Sequence, residues 1–192
     1  MKYLTIAALV FFVACGGSDT GKKTDEAKKD EPLTQSKNSP EFNDKFTELL
    51  NGYYKLKDAF VASNDTMAAS QAQALVESAD NLNLSEAKAD SSIIEMAQQY
   101  VGSISSEAKS LAVEPNLEAK RKSFQMISDN MYDLVRTMHF DKETVYHQFC
   151  PMAFNDAGAY WLSQSPDIKN PYFGKKMLTC GEVKDSIDFG GK

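Results

Sequence analysis

The chain has 192 residues, with 21 Lys and Arg against 27 Asp and Glu and a net charge of −6 when both histidines are neutral. An acidic chain with no basic cluster suits neither nucleic acid nor anionic lipid headgroups. Two histidines, with no Gly-x-Ser-x-Gly, His-Glu-x-x-His or phosphate-loop pattern, leave little for hydrolysis or group transfer, so the chain reads as a non-enzyme.

The N-terminus opens with Lys2 and an apolar run from Leu4 to Val13. About ten residues suit a signal-peptide core and are too few to span a bilayer. The run ends Phe12-Val13-Ala14-Cys15. Small residues before a cysteine resemble a lipobox, the processing signal of bacterial lipoproteins, although Phe12 stands where Leu is usual. Residues 1–14 are therefore expected to be a signal peptide and Cys15 the lipid attachment site. Loss of Lys2 leaves a mature net charge of about −7. Residues 16–38 contain no aromatic residue and one large aliphatic, Leu33, too little apolar surface to fold. Residues 15–38 thus read as a lipidated cysteine and a disordered tether spanning roughly 25–30 Å as a coil. The expected location is periplasmic or cell-surface, with the outer membrane first, and membrane attachment is through the lipid alone.

The folded part is expected over residues 39–188. Ser39-Pro40 is a helix start, with Ser as N-cap and Pro in the first turn. Phe42, Phe46, Leu49, Tyr53, Leu56 and Phe60 follow at spacings of three and four, a helical seam running to about Ser63. A second helix, capped by Asp65, buries Met67, Ala68, Ala72, Leu75, Val76 and Ala79; its alanines predict close approach to a neighbour. Asn81 to Asp90 is a polar break. A third helix carries Ile93, Ile94, Ala97, Tyr100, Val101, Ile104, Ala108 and Leu111 and stops before Pro115. A fourth carries Leu117, Phe124, Ile127, Met131, Leu134, Val135 and Met138 and ends near His139-Phe140, with Arg121 in an ion pair at the edge of its apolar face. The fold class is therefore all-α: an antiparallel four-helix bundle with an irregular, aromatic-rich C-terminal cap.

The cap, Thr144 to Asp188, mixes turn formers (Pro151, Pro166, Pro171, Gly158, Gly174, Gly181) with Tyr146, Phe149, Phe154, Tyr160, Trp161, Tyr172 and Phe173. That composition describes packed irregular structure. Thr144 to Phe149 and Met177 to Val183 have the character of short strands, which would make a β-hairpin.

Chemistry concentrates in His147-Gln148-Phe149-Cys150-Pro151-Met152 and Met177-Leu178-Thr179-Cys180. If folding joins them, two thiolates and two thioethers converge, a donor set that selects soft ions and Cu(I) above all. The ligand set is Cys150, Met152, Met177 and Cys180, with His147 as the outlier, because residues 147 and 150 of a strand face opposite sides. The alternative is a Cys150–Cys180 disulfide. It would close a loop of about 30 residues, stabilise by about 3–4 kcal/mol, and make the cap a stapled recognition surface. Met152 and Met177 can also be simple packing, and His139 fits the C-terminal end of the fourth-helix dipole. Trp161 reads as the anchor of the cap.

Several stretches carry a resemblance: Tyr53-Tyr54-Lys55-Leu56-Lys57-Asp58-Ala59, Arg121-Lys122-Ser123-Phe124, Cys150-Pro151-Met152-Ala153, Gly158-Ala159-Tyr160-Trp161-Leu162-Ser163, Ile168-Lys169-Asn170-Pro171-Tyr172-Phe173-Gly174 and Met177-Leu178-Thr179-Cys180-Gly181. Together they are similar to a domain of unknown function found in Gram-negative envelope lipoproteins and appended to periplasmic adaptors of copper and silver efflux pumps. The resemblance implies a helical bundle with a metal-linked role at the envelope and a metal-efflux adaptor as partner. Relatives place His directly before the Cys of the Cys-Pro-Met run, where this chain has Phe149.

Overall fold

The computed structural model describes residues 38–190. The expected signal peptide, the lipid attachment at Cys15 and nearly all of the expected tether lie outside the described residues. Four long helices come first: α1 (Pro40–Val61), α2 (Asp65–Asp80), α3 (Ser91–Val113) and α4 (Leu117–Thr137). Three short strands follow: β1 (Val145–Cys150), β2 (Ala159–Ser163) and β3 (Glu182–Ile187). The all-α expectation is thus corrected to a mostly helical fold with a small C-terminal sheet.

Helix boundaries follow from local chemistry. Ser39 Oγ accepts the Phe42 amide at 3.1 Å and begins α1. Asn64, not Asp65, caps α2 by accepting the Met67 amide at 3.0 Å. Asp65 instead pairs with the buried Lys120 at 2.7 Å. Asn116 caps α4 through the amides of Glu118 and Ala119. Helices α1 and α4 both end in a left-handed residue that is not glycine, Ser63 (φ 52°) and His139 (φ 49°). At each end two reversed hydrogen bonds close the turn, Ser63 N to Phe60 O and Asn64 N to Ala59 O, then His139 N to Arg136 O and Phe140 N to Val135 O.

The helices pack in chain order, each on the next, and α4 returns to α1 as a helical bundle. Phe42, Phe46, Leu49, Tyr53, Leu56 and Phe60 of the α1 seam are all fully buried. Ala68, Ala72 and Ala79 are buried as their size suggests, but Met67 is 47% exposed, on the outer side of α2. Ile93, Ile94, Tyr100 and Val101 of α3 are only partly covered. Packed rings continue the core toward the sheet, with Phe124 stacked on Tyr53 at 5.4 Å and tilted against Phe60 at 5.0 Å.

The sheet has the order β2-β1-β3, antiparallel throughout, with β2 lying on α4. The second expected strand, Met177 to Val183, is displaced toward the C-terminus: Met177 to Cys180 form a turn, and pairing begins at Glu182. Tyr53 ties helices to sheet. Its hydroxyl donates to Ser128 Oγ at 2.8 Å, Ser128 in turn donates to Phe124 O, and the Leu162 amide of β2 donates to Tyr53 Oη at 2.9 Å. Burial pushes the Tyr53 phenol up, so this hydroxyl keeps its proton.

Candidate functional site: a thiol pair under the cap

Cys150 is the last residue of β1, paired with Ala159 across β2 and fully buried. The chain between these strands turns through three left-handed residues, Phe154, Asn155 and Asp156, and then Gly158. Pro151 and Met152 stand exposed at the start of that turn. Cys180 arrives from the long segment between β2 and β3, and its sulfur lies 2.8 Å from that of Cys150. Two residues 30 positions apart are therefore brought into direct contact, one deep and one half-buried. The hydrogen bond with Cys150, reinforced by burial, pushes the Cys180 thiol up to about 11, while the Met152 backbone amide opposes that shift.

The position of Cys180 is set mainly by Asn170, a residue with no exposed surface. Asn170 Nδ2 donates to Cys180 O at 2.7 Å, while Oδ1 accepts the amides of Tyr172 at 2.8 Å and Phe173 at 3.1 Å. The Asn170 amide donates to Leu178 O at 2.8 Å, and the Cys180 amide to Met177 O at 3.0 Å. One side chain thus shapes the Pro171-Tyr172-Phe173-Gly174 turn and holds the backbone of the outer cysteine. The segment is fastened to the helices independently. Arg121 Nε donates to Pro171 O at 3.0 Å, and Nη2 reaches Ser63 Oγ at 3.1 Å and Phe60 O at 3.5 Å. Its other amino group pairs with Glu118. Arg121 therefore joins α4, the end of α1 and the cap, a larger role than the edge ion pair expected for it. Gly174 sits directly on the end of α1: a Cβ there would lie 2.3 Å from Ser63 Oγ, at a φ of 55° that itself favours glycine. Gly181 lets the chain pass over the sheet, since its Cβ would come 2.8 Å from both Phe149 O and Trp161 Cη2.

Of the sequence-predicted ligands, Cys150 and Cys180 meet. Met152 and Met177 flank them through the backbone, Met152 by its amide toward Cys180 and Met177 by its carbonyl. The Met152 side chain is 46% exposed and Met177 is half-buried. His147 is engaged elsewhere. Its ring is stacked between Tyr132 at 3.8 Å and Tyr160 at 4.5 Å, about 10 Å along the strand from Cys150. Desolvation lowers its pKa to about 4, against an opposing pull from Asp185. A neutral imidazole clamped between rings on the opposite side of the strand does not belong with the sulfurs. His139 stacks on Phe189 at 4.6 Å, at the far end of α4. Trp161 is fully buried against the edge of Tyr172 and is the anchor of the cap.

Among the described residues no group of three or more His, Cys, Asp or Glu side chains is placed to hold a metal ion. No helix among the described residues is long and apolar enough to cross a membrane. Asn170 and Arg121 are the positioning residues that sequence reading did not single out as such. An Asn before Pro is a turn signal, and that was the available cue.

No curated protein and no solved structure matches the chain. The family described as "protein of unknown function (DUF3347)" matches residues 49–143, from within α1 to the turn before β1, so the chain is similar to that family over its helical part and the thiol pair lies beyond the matched stretch.

Proposed function

We propose that this protein is a non-catalytic, lipid-anchored envelope protein that captures a soft metal ion, Cu(I) above all, between Cys150 and Cys180, for buffering or hand-over to an efflux adaptor. The observation that carries the reading is the contact of two distant cysteines, 2.8 Å apart, with one sulfur deep and one accessible. Soft thiolates select soft ions, and each cysteine has a methionine within three positions to supply a further thioether. A thiolate–metal bond of about 2.3 Å, the length found for zinc, requires the sulfurs to part by about 1 Å. Cys180 sits on a turn and can make that movement, whereas Cys150 is fixed in the central strand. The signal-peptide and lipobox pattern at residues 1–15 supports the envelope location. The efflux partner rests on the resemblance carried by stretches of α1, α4 and the cap, over roughly residues 42 to 185.

The test is a Cu(I) competition titration against a chromophoric chelator, with reduced protein and no oxygen. One equivalent is expected to bind, weakened at least tenfold by Met152→Leu or Met177→Leu and abolished by Cys150→Ser with Cys180→Ser. Failure to take copper from even a weak competitor refutes the reading. The second reading, a disulfide-stapled interaction module, is favoured by the same sulfur contact and by exposed Met152, Leu178 and Val183 around it. A thiol count on protein isolated without reductant separates the two.

A further inference from the structure

We infer that Cys150 and Cys180 form a reversible thiol–disulfide exchange site with a fixed polarity, in which Cys180 is the sulfur that reacts with an incoming small disulfide and Cys150 is the resolving sulfur. The inference uses the same two sulfurs as the metal reading but needs no metal.

Three observations carry it. First, the sulfurs are in contact at 2.8 Å, so closing the bond requires only a small side-chain rotation. Second, the two thiols differ in access. Cys150 has no exposed surface, whereas Cys180 is half-buried at the end of a surface turn flanked by exposed Leu178 and Thr179. A disulfide reagent that needs collinear approach to a sulfur can reach only the outer one. Third, the cap does not depend on a covalent bond. Asn170 holds the Cys180 carbonyl, Met177 O holds its amide, and Arg121 and Tyr172 fasten the same segment to α4, α1 and β2. Tyr172 does so by donating its hydroxyl proton to Tyr160 O. Because these contacts position the Cys180 backbone, the sulfur meets Cys150 in the same place whether or not a bond joins them. A pair held so can cycle without refolding the segment around it.

The contact with Cys150 holds the Cys180 thiol up at about 11, so exchange is slow at neutral pH and quickens in alkali, and access alone sets the polarity. The chemistry balances as follows. Cys180, in its thiolate fraction, attacks one sulfur of a small disulfide and forms a mixed disulfide, and the first small thiolate leaves and takes up a proton. Cys150, deprotonated, then attacks the Cys180 sulfur, forms the internal disulfide and expels the second small thiolate. The protein loses two protons and two electrons, and the small disulfide becomes two thiols. Excess small thiol runs the sequence backwards, attacking at Cys180 because that sulfur is the one within reach.

The experiment uses the full chain carrying Cys15→Ser, reduced, metal-free and mixed with glutathione disulfide. Samples are quenched in acid, alkylated and mapped by mass spectrometry. On the unaltered pair, the first glutathione is expected on Cys180, followed by loss of the adduct as the internal disulfide forms. Cys150→Ser is expected to stop at the Cys180 adduct. Cys180→Ser is expected to react about tenfold or more slowly, because its remaining thiol is buried. The aromatic fine structure of the near-ultraviolet circular dichroism above about 280 nm, dominated by Trp161, is expected to be the same in the reduced and oxidised forms. A first adduct on Cys150, equal rates in the two single variants, or loss of that fine structure on reduction would each overturn the inference. The mapping on the unaltered pair decides the polarity even if a single variant fails to fold. Because no metal is present, a negative result here leaves copper capture standing on its own titration.

Discussion

Replacing Asn170 tests whether one buried amide organises the cap. Asn170→Ala removes three hydrogen bonds, at 2.7, 2.8 and 3.1 Å, and leaves the Cys180 carbonyl and the Tyr172 amide without those partners. Each lost bond is worth about 0.5–1.5 kcal/mol, and a buried group left unpaired costs about 1–3 kcal/mol. Water can reach the turn from the Cys180 side and recover part of this. The expected loss is therefore about 3 kcal/mol, or a fall of about 6–12 °C in Tm for a domain of this size. Asn170→Asp sharpens the test. A carboxylate still accepts the Tyr172 and Phe173 amides but cannot donate to Cys180 O and repels it. It should cost about 1–2 kcal/mol yet free the outer cysteine as fully as Ala does. Urea unfolding gives the stabilities, and the alkylation rate of the reduced protein gives the freedom of Cys180. If Asn170→Ala stays within about 0.5 kcal/mol of the parent, or neither variant speeds alkylation at Cys180, the account of the cap is wrong.

Arg121 offers a second probe of the same segment. Arg121→Met, which keeps bulk but removes every donor, is expected to cost about 3 kcal/mol in urea unfolding. Arg121→Lys should recover less than half of that, because one ammonium cannot reach the separate acceptors on Pro171, Ser63 and Phe60. The dependence of stability on pH carries terms of both signs, His147 on one side and Asp129 and Glu143, both raised chiefly by burial, on the other. His147 is lowered from 6.5 to about 4 by desolvation, so its contribution rises with pH between those values. Asp129 is raised from 3.8 to about 6, by desolvation first and Asp133 second, so its contribution falls with pH across nearly the same window. Both groups are partly exposed, so the sign of the slope is the prediction. Stability of His147→Phe should fall more steeply, or rise less, from pH 4 to 6 than that of the parent. Asp129→Asn should show the opposite change. Denaturant midpoints at several pH values decide it.

The helices were legible because their burial is one-sided. Phe42 to Phe60 repeats at three and four, and each of those positions is buried. Met67 misled because at the first turn of α2 an apolar side chain can lie just outside the packed stripe. The central strand was read within a residue, Thr144 to Phe149 against Val145–Cys150, but the outer two were missed or displaced for two different reasons. In β2, Ala159, Trp161, Leu162 and Ser163 are all buried, so no alternation marks a strand. In β3, Glu182 to Ser186 are all exposed, because an edge strand need not present an apolar face. The juxtaposition of the two cysteines could be suspected from their methionine neighbours. Its control by Asn170 could not, since it depends on a turn whose partners lie ten residues away in sequence.

The strand order β2-β1-β3 also has a consequence for biosynthesis. The strand that comes first in the chain occupies the middle of the sheet, and both of its neighbours follow it in chain order, so they arrive later as the chain is delivered. The helices can pack through contacts between sequence neighbours, which form fast. Strand β1 instead waits, with its second edge open, until Glu182–Ile187 has been synthesised. During that interval its unpaired amides and carbonyls present a ready template for another nascent chain. A chain truncated before residue 182 should therefore aggregate through the open edge of β1, seen as sedimenting material that the full-length chain does not give.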